Sequence, residues 1–292
     1  MRRLARGCVA LGAIALPLTL VGHGSQPAAA RGPGGDVGAP APTGPGRVTV
    51  LALPGPPGKT IRDVWVYRPA VPDSSTLPVV YWLHGYPDSP GAVFAAGIAH
   101  SLDAYFAAGH RPFVFVADDD DEARRGDTEW ADASGGRDAE EGFLLHTVIP
   151  TVEGRYPRKR ADRAIVGFSM GGYGAMNIAL RHPDDFGQVA SLAGYFHVDD
   201  PDRVFAGRSD LIAANSPDRD VTRARGLHIL LDDGGADRLP VVEGESVRFA
   251  RLLSSARIPA TLVLQPAAEH DYQFVRSQFP VLETFLDYGW SG

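Results

Sequence analysis

The sequence predicts an α/β fold: a mostly parallel central sheet with helices on both faces and an antiparallel strand pair at its start. Three observations predict it. Short apolar runs alternate along the chain with longer stretches of helical periodicity. Most of those runs are apolar at every position, as strands covered on both faces must be. The first two strand-like segments instead alternate apolar and polar residues, the pattern of a sheet edge with one wet face.

Residues 48–53 and 61–67 are those two amphipathic strands. Val79–Leu83 is a continuous apolar strand, followed by a helical stretch at 92–108 and a strand at 113–117. The next helix spans 140–156, with Phe143, Leu144, Val148 and Val152 on one face. Residues 164–166 lead through a glycine-rich turn into a helix at 171–181. Strands follow at 189–192, 227–231 and 260–264, with helices at 241–255 and 271–288 after the last two. No internal repeat and no second domain is visible. In such sheets the chemistry sits at the carboxyl ends of the strands, so functional residues are sought just after strands.

Composition narrows the function. Of 292 residues, 44% are hydrophobic and 22% charged, which excludes global disorder. A net charge of −7 argues against a nucleic-acid partner, which requires a basic surface. Residues 1–30 have the layout of a secretory signal peptide: Arg2, Arg3 and Arg6, an apolar run at 9–21, then Ala28, Ala29 and Ala30. The run contains Pro17 and is too short to cross a bilayer, so no stable membrane insertion is expected after cleavage. Cleavage after Ala30 removes the single cysteine, Cys8, and takes the net charge from −7 to −10. Residues 31–46 read as a leader rich in Gly, Pro and Ala, and 47–292 as one catalytic domain.

Two segments imitate ligand sites. Gly55 to Thr60 resembles a phosphate-binding loop, but Leu53 stands where its first glycine belongs, and Pro56 and Pro57 lack N–H donors. It reads as a hairpin turn. Asp118 to Glu122 invites a calcium reading, yet the glycine and distal glutamate of a helix–loop–helix site are missing, and a solvated acidic loop is expected.

Gly167-Phe168-Ser169-Met170-Gly171 fits G-x-S-x-G between an apolar strand and a small-residue helix. That context lifts a serine to the top of the sheet and aims helix N-terminal amides beside it. The base that would activate Ser169 is sought among nine histidines. His270 follows the last strand and completes the order Ser, Asp, His; His197 is a distant second. For the acid, Asp232, Asp233 and Asp237 all follow the strand at 227–231. Asp237 is preferred because Gly234-Gly235 turns it back toward the site, with Asp233 the alternative. Leu83-His84-Gly85-Tyr86 ends a strand with a glycine that frees amides to turn toward the serine. The oxyanion donors are assigned to the backbone N–H groups of Met170 and Tyr86, with His84 ordering the loop.

These segments resemble the α/β-hydrolase superfamily, and within it the group containing esterase D, feruloyl and enterochelin esterases and the secreted mycolyltransferases. The resemblance rests on Tyr81-Trp82-Leu83-His84-Gly85, the run from Phe143 through Ile149-Pro150 to Tyr156-Pro157, the elbow from Gly167 to Ala175, Asp237, and Glu269-His270-Asp271-Tyr272, with Trp130 matching a tryptophan ahead of the second segment. It implies an α/β-hydrolase fold, a Ser169–Asp237–His270 triad and no metal or other cofactor. The expected function is an exported serine esterase acting on a small-molecule or cell-wall or polysaccharide-linked ester. The alternatives are a cell-envelope acyltransferase passing the acyl group to a sugar alcohol and, of another class, a non-catalytic envelope-binding protein. His84, Trp130 and His197 are the candidates for contacting substrate.

Overall fold

The computed structural model describes residues 41–55, 61–120, 126–136, 139–200 and 202–291. The signal-peptide reading, most of the leader, the hairpin turn at 56–60 and Asp121–Glu122 lie outside these. Eight strands form one sheet in the order β1-β2-β4-β3-β5-β6-β7-β8. They are β1 (Arg47–Pro54), β2 (Ile61–Arg68), β3 (Val79–Leu83), β4 (Val114–Ala117), β5 (Arg163–Phe168), β6 (Gln188–Leu192), β7 (His228–Gly234) and β8 (Thr261–Gln265). β1 pairs antiparallel with β2, and β2 antiparallel with β4; the remaining pairs are parallel. The central strands β3, β5 and β6 are buried at nearly every position, which is why their sequences lack alternation.

Helices cover both faces. Against one face, Tyr81, Leu83, Ile165, Val189 and Leu231 meet Phe143, Val148, Met176 and Phe249. Against the other, Trp82, Phe115, Val166 and Leu230 meet Leu102, Phe106, Phe274 and Phe279. The stretch expected as one helix at 92–108 is two, α1 (Pro90–Ala95) and α2 (Ile98–Ala107). Gly97 between them has φ +103°, which stops the first helix and redirects the chain. The helix expected at 140–156 begins as α3 (Glu140–Phe143), loosens into a π turn at Leu144–Val148 and finishes as α4 (Ile149–Glu153). Pro150 has no N–H to return to the preceding turn, and Ile149 N–H reaches back five residues to Leu144 O. Gly154, at φ +57°, ends it before Tyr156.

The nucleophile helix α5 (Met170–Arg181) follows β5 directly. The segment after β6 holds a short helix, α6 (Ser209–Ala214), fastened to α5 where Tyr173 Oη donates to Asn215 O at 2.7 Å and Asn177 Nδ2 to Asn215 Oδ1 at 2.9 Å. α7 (Glu245–Ser255) starts four residues later than expected, after Gly244 at φ +76°. α8 (Tyr272–Trp290) is capped by Asp271, whose carboxylate accepts from Gln273 and Phe274 N–H.

β7 runs to Gly234, three residues past the expected end, so Asp232 and Asp233 sit inside the strand. Asp232 is fully buried and neither carboxyl oxygen has a hydrogen-bond partner among the described residues. Burial, then the neighbouring Asp233 charge, holds its pKa well above the usual carboxylate range. Such a group keeps its proton in the folded chain while the unfolded chain releases it above about pH 4. Stability therefore falls as pH rises from there toward the raised folded value. Asp232→Asn is expected to flatten that slope: relative to the parent, its Tm at pH 8 improves over its Tm at pH 4. Parallel slopes for the two proteins would show that Asp232 is ionised in the fold.

Candidate active site

β5 ends beside the carboxyl ends of β3 and β6, with Gly167 in register with Leu83 on one side and Ser191 on the other. Ser169 then turns sharply, with φ +56° and ψ −120°, a conformation that L side chains rarely adopt. It is held there by Ser169 N–H donating to Leu192 O at 2.9 Å and by Tyr173 N–H donating back to Ser169 O at 3.0 Å. The turn is tight enough to require glycine: a Cβ on Gly171 would lie 2.0 Å from Leu83 O. Gly85 is the complementary case, since a Cβ there would come within 3.0 Å of Ser169 Cβ. The end of β3 therefore lies against the nucleophile, and the Tyr86 amide follows directly in that loop. Met170 opens α5, so its amide is one of the helix's unpaired N-terminal donors.

His270 stands on the loop between β8 and α8. Its Nε2 accepts from Ser169 Oγ–H at 2.8 Å, and its Nδ1–H donates to Asp237 Oδ2 at 2.6 Å. The carboxylate on Nδ1 sets the tautomer that leaves Nε2 as the acceptor. Asp237 is almost fully buried, and its other oxygen accepts Leu239 N–H at 2.9 Å. Two backbone bonds stitch its loop to the His270 loop: Gly235 N–H to Gln265 O at 2.7 Å and Ala236 N–H to Ala268 O at 2.9 Å. Asp233 does not touch the imidazole. It lies beside Asp237, and burial followed by the Asp237 charge raises its pKa to about 7.

Other candidates take other places. His197, the second choice for the base, is tied to Asp218 at 3.2 Å in a cluster with Arg248 and Glu245. His84 and Trp130, expected to contact substrate, are both fully buried. His84 Nδ1 donates to Gly85 O at 3.0 Å, Trp130 Nε1 donates to His84 O at 3.0 Å, and the two rings meet edge to face at 5.1 Å. They prop the oxyanion loop from beneath because its backbone carbonyls need donors once buried.

The acidic segment is not solvated as expected: Asp118 and Asp120 have no exposure. Burial raises Asp118 to about pKa 8. Beside it Arg62 pairs with Glu140 at 2.8 Å, both inside the protein. Among the described residues, His84, Asp119 and Asp120 have ring and carboxylate atoms close enough to share a cation. They are already knitted into the fold: Asp119 accepts Asp63 N–H at 3.1 Å, and Asp120 accepts from Thr128 Oγ1.

Sequence reasoning missed two placements. Phe168 stacks on the His270 ring. Arg62 lies in the core, although its position was legible: residues 62, 64 and 66 share the inward phase of β2. A separate cavity of about 420 Å³, lined by Leu145, Ile149, Arg163 and His182 among others, contains no triad residue and lies by the first residue of β5, at the opposite end of that strand from Ser169.

A sequence profile of the family described as "Putative esterase" matches residues 59–277, well over half the chain. The chain belongs to that esterase family. Among curated proteins, this esterase is 29% identical over 147 residues to an S-formylglutathione hydrolase of Paracoccus denitrificans (strain Pd 1222), covering 46% of the present chain and 51% of the relative. The chain thus spans about half the length of that curated relative. Among solved structures, the esterase is similar to a ferulic acid esterase (TM-score 0.72, 22% identity, 85% of this chain and 100% of the other). It is also similar to FphF, a fluorophosphonate-binding serine hydrolase of Staphylococcus aureus (TM-score 0.68, 20% identity, 84% and 99%). Both share its fold.

Proposed function

We propose that this esterase is an exported serine carboxylic-ester hydrolase working through an acyl-enzyme on Ser169. The observation that carries the reading is the continuous relay Ser169 Oγ–His270–Asp237, with bonds of 2.8 and 2.6 Å. Ser169 Oγ attacks the ester carbonyl while His270 Nε2 takes its proton. The carbonyl electron pair moves to oxygen, where the Met170 and Tyr86 amides receive it. Collapse expels the alcohol, which leaves with the proton from His270. Water then enters, loses a proton to His270 and releases the acid, restoring Ser169.

Tyr86, Leu239 and Val241 are exposed apolar side chains on the loops that carry the oxyanion amide and Asp237. In the sheet order they come from opposite sides of β5, which supports an uncharged, apolar group near the scissile bond. The named relatives support a panel running from S-formylglutathione to feruloyl esters. Export is supported by the basic-then-apolar pattern of residues 1–30.

The test pairs labelling with turnover. A fluorophosphonate probe is expected to modify the protein once, at Ser169, and Ser169→Ala to lose both labelling and hydrolysis of short p-nitrophenyl esters. Full activity in Ser169→Ala would overturn the mechanism. Adding a polyol acceptor and measuring transfer against hydrolysis separates the hydrolase from an acyltransferase; mostly transferred product would favour the latter.

A further inference from the structure

The first variable position of the G-x-S-x-G turn, Phe168, is buried at the end of β5 with its ring stacked on His270, centroids 4.7 Å apart and planes inclined by 30°. Two further aromatics hold that ring in place: Tyr272 meets it edge to face at 5.5 Å, and Phe274 lies at 6.5 Å. An aromatic face carries negative electrostatic potential and attracts a cation more than a neutral ring. In the acylation step His270 becomes a cation as the Oγ–H bond of Ser169 breaks, the Nε2–H bond forms and Oγ bonds to the substrate carbon. At that moment the Asp237 carboxylate is on one edge of the imidazolium and the Phe168 face beneath it. An attraction that grows on the way to the transition state speeds the step, whereas one of constant strength does not.

We propose that Phe168 is a positioning residue that fixes the His270 ring from one face and stabilises the imidazolium formed during acylation. The inference rests on the triad reading above. Other titratable groups around His270 are Asp237 on Nδ1, Asp233 behind Asp237, Asp88 and Tyr272 on the oxyanion side, and Glu269 and Asp271 along the chain. A change confined to Phe168 leaves all of them in place, so a shift in pH response reports the ring itself.

The experiment replaces Phe168 in the full chain by phenylalanines carrying one, two and three ring fluorines, which drain the aromatic face with little change in volume. Each fluorine is expected to lower kcat/KM and to move the acid limb of its pH profile to lower pH, with KM nearly constant. Phe168→Leu should complete the loss, about 2- to 30-fold, and Phe168→Tyr should restore the parent profile. A flat fluorine series, or a fall in kcat without movement of the acid limb, would show that Phe168 only fills space and would overturn the inference. Should Phe168→Leu fail to fold, the fluorinated series decides alone. Failure of the triad reading shows separately, as activity retained in Ser169→Ala.

Discussion

Asp237→Asn is expected to lower kcat by about 10⁴-fold, while Asp233→Asn stays within severalfold of the parent. The two aspartates are four residues apart and both nearly buried, yet only Asp237 reaches His270, at 2.6 Å from Nδ1. An amide at 237 can present its NH₂ to Nδ1, which stabilises the tautomer with its proton on Nε2. Ser169 would then face a donor instead of an acceptor. Asp233 acts on the site only through charge. With a pKa of about 7 it adds a second negative charge beside Asp237 as pH rises through neutrality. Asp233→Asn should therefore reshape the pH profile near pH 7 without collapsing it. Initial rates on p-nitrophenyl acetate from pH 5 to 9 check both variants. A severe loss in Asp233→Asn with a mild one in Asp237→Asn would exchange their roles.

Gly171→Ala should be as damaging by a different route. The added methyl would sit 2.0 Å from Leu83 O and 2.6 Å from His84 O, both backbone atoms, so no side chain can swing aside to make room. Relief would require separating α5 from β3; α5 carries the Met170 amide and the loop that leaves β3 carries the Tyr86 amide. The expected result is a Tm lower by roughly 2–12 °C, from an overpacking cost of about 1–3 kcal/mol. A fall in kcat of at least about 10²-fold should accompany it as the oxyanion donors part. Gly91→Ala is the control, because its methyl would meet only side-chain atoms at ordinary contact distance, Trp65 at 3.5 Å and Ser89 Oγ at 3.7 Å. A Gly171→Ala protein that melts within 2 °C of the parent and keeps half its activity would mean that the elbow is looser than drawn.

Much of this was readable in advance, because strand–turn–helix context constrains a serine nucleophile severely. Ser169, His270 and Asp237 each follow a strand end, and the triad order then leaves few choices. What stayed hidden depended on which way a side chain turned. The end of β7 was misplaced because Asp232 and Asp233 look like loop residues, and only a continuous ladder with β6 and β8 keeps them in the strand. Asp118 and Asp120 misled for the same reason: a run of carboxylates reads as solvated unless inward neighbours such as Arg62 and His84 are known. Trp130 carried a conspicuous chemistry that suggested substrate contact. Its indole N–H instead donates to the backbone of the loop that His84, as expected, orders.

The placement of the first strand and of the end of the last helix has a practical side. β1 is the outer strand and stands four positions from β5 in the sheet, about 19 Å at normal strand spacing. At the other end, Trp290 O accepts from Arg111 at 2.8 Å, beside the start of β4 and on the side of the sheet away from Ser169. A tether attached at the start of β1 or the end of α8 would leave the mouth between Tyr86 and Leu239 facing outward. Fixed to a resin or a particle at the start of β1 or the end of α8, the described domain would keep its reactive side toward the solution.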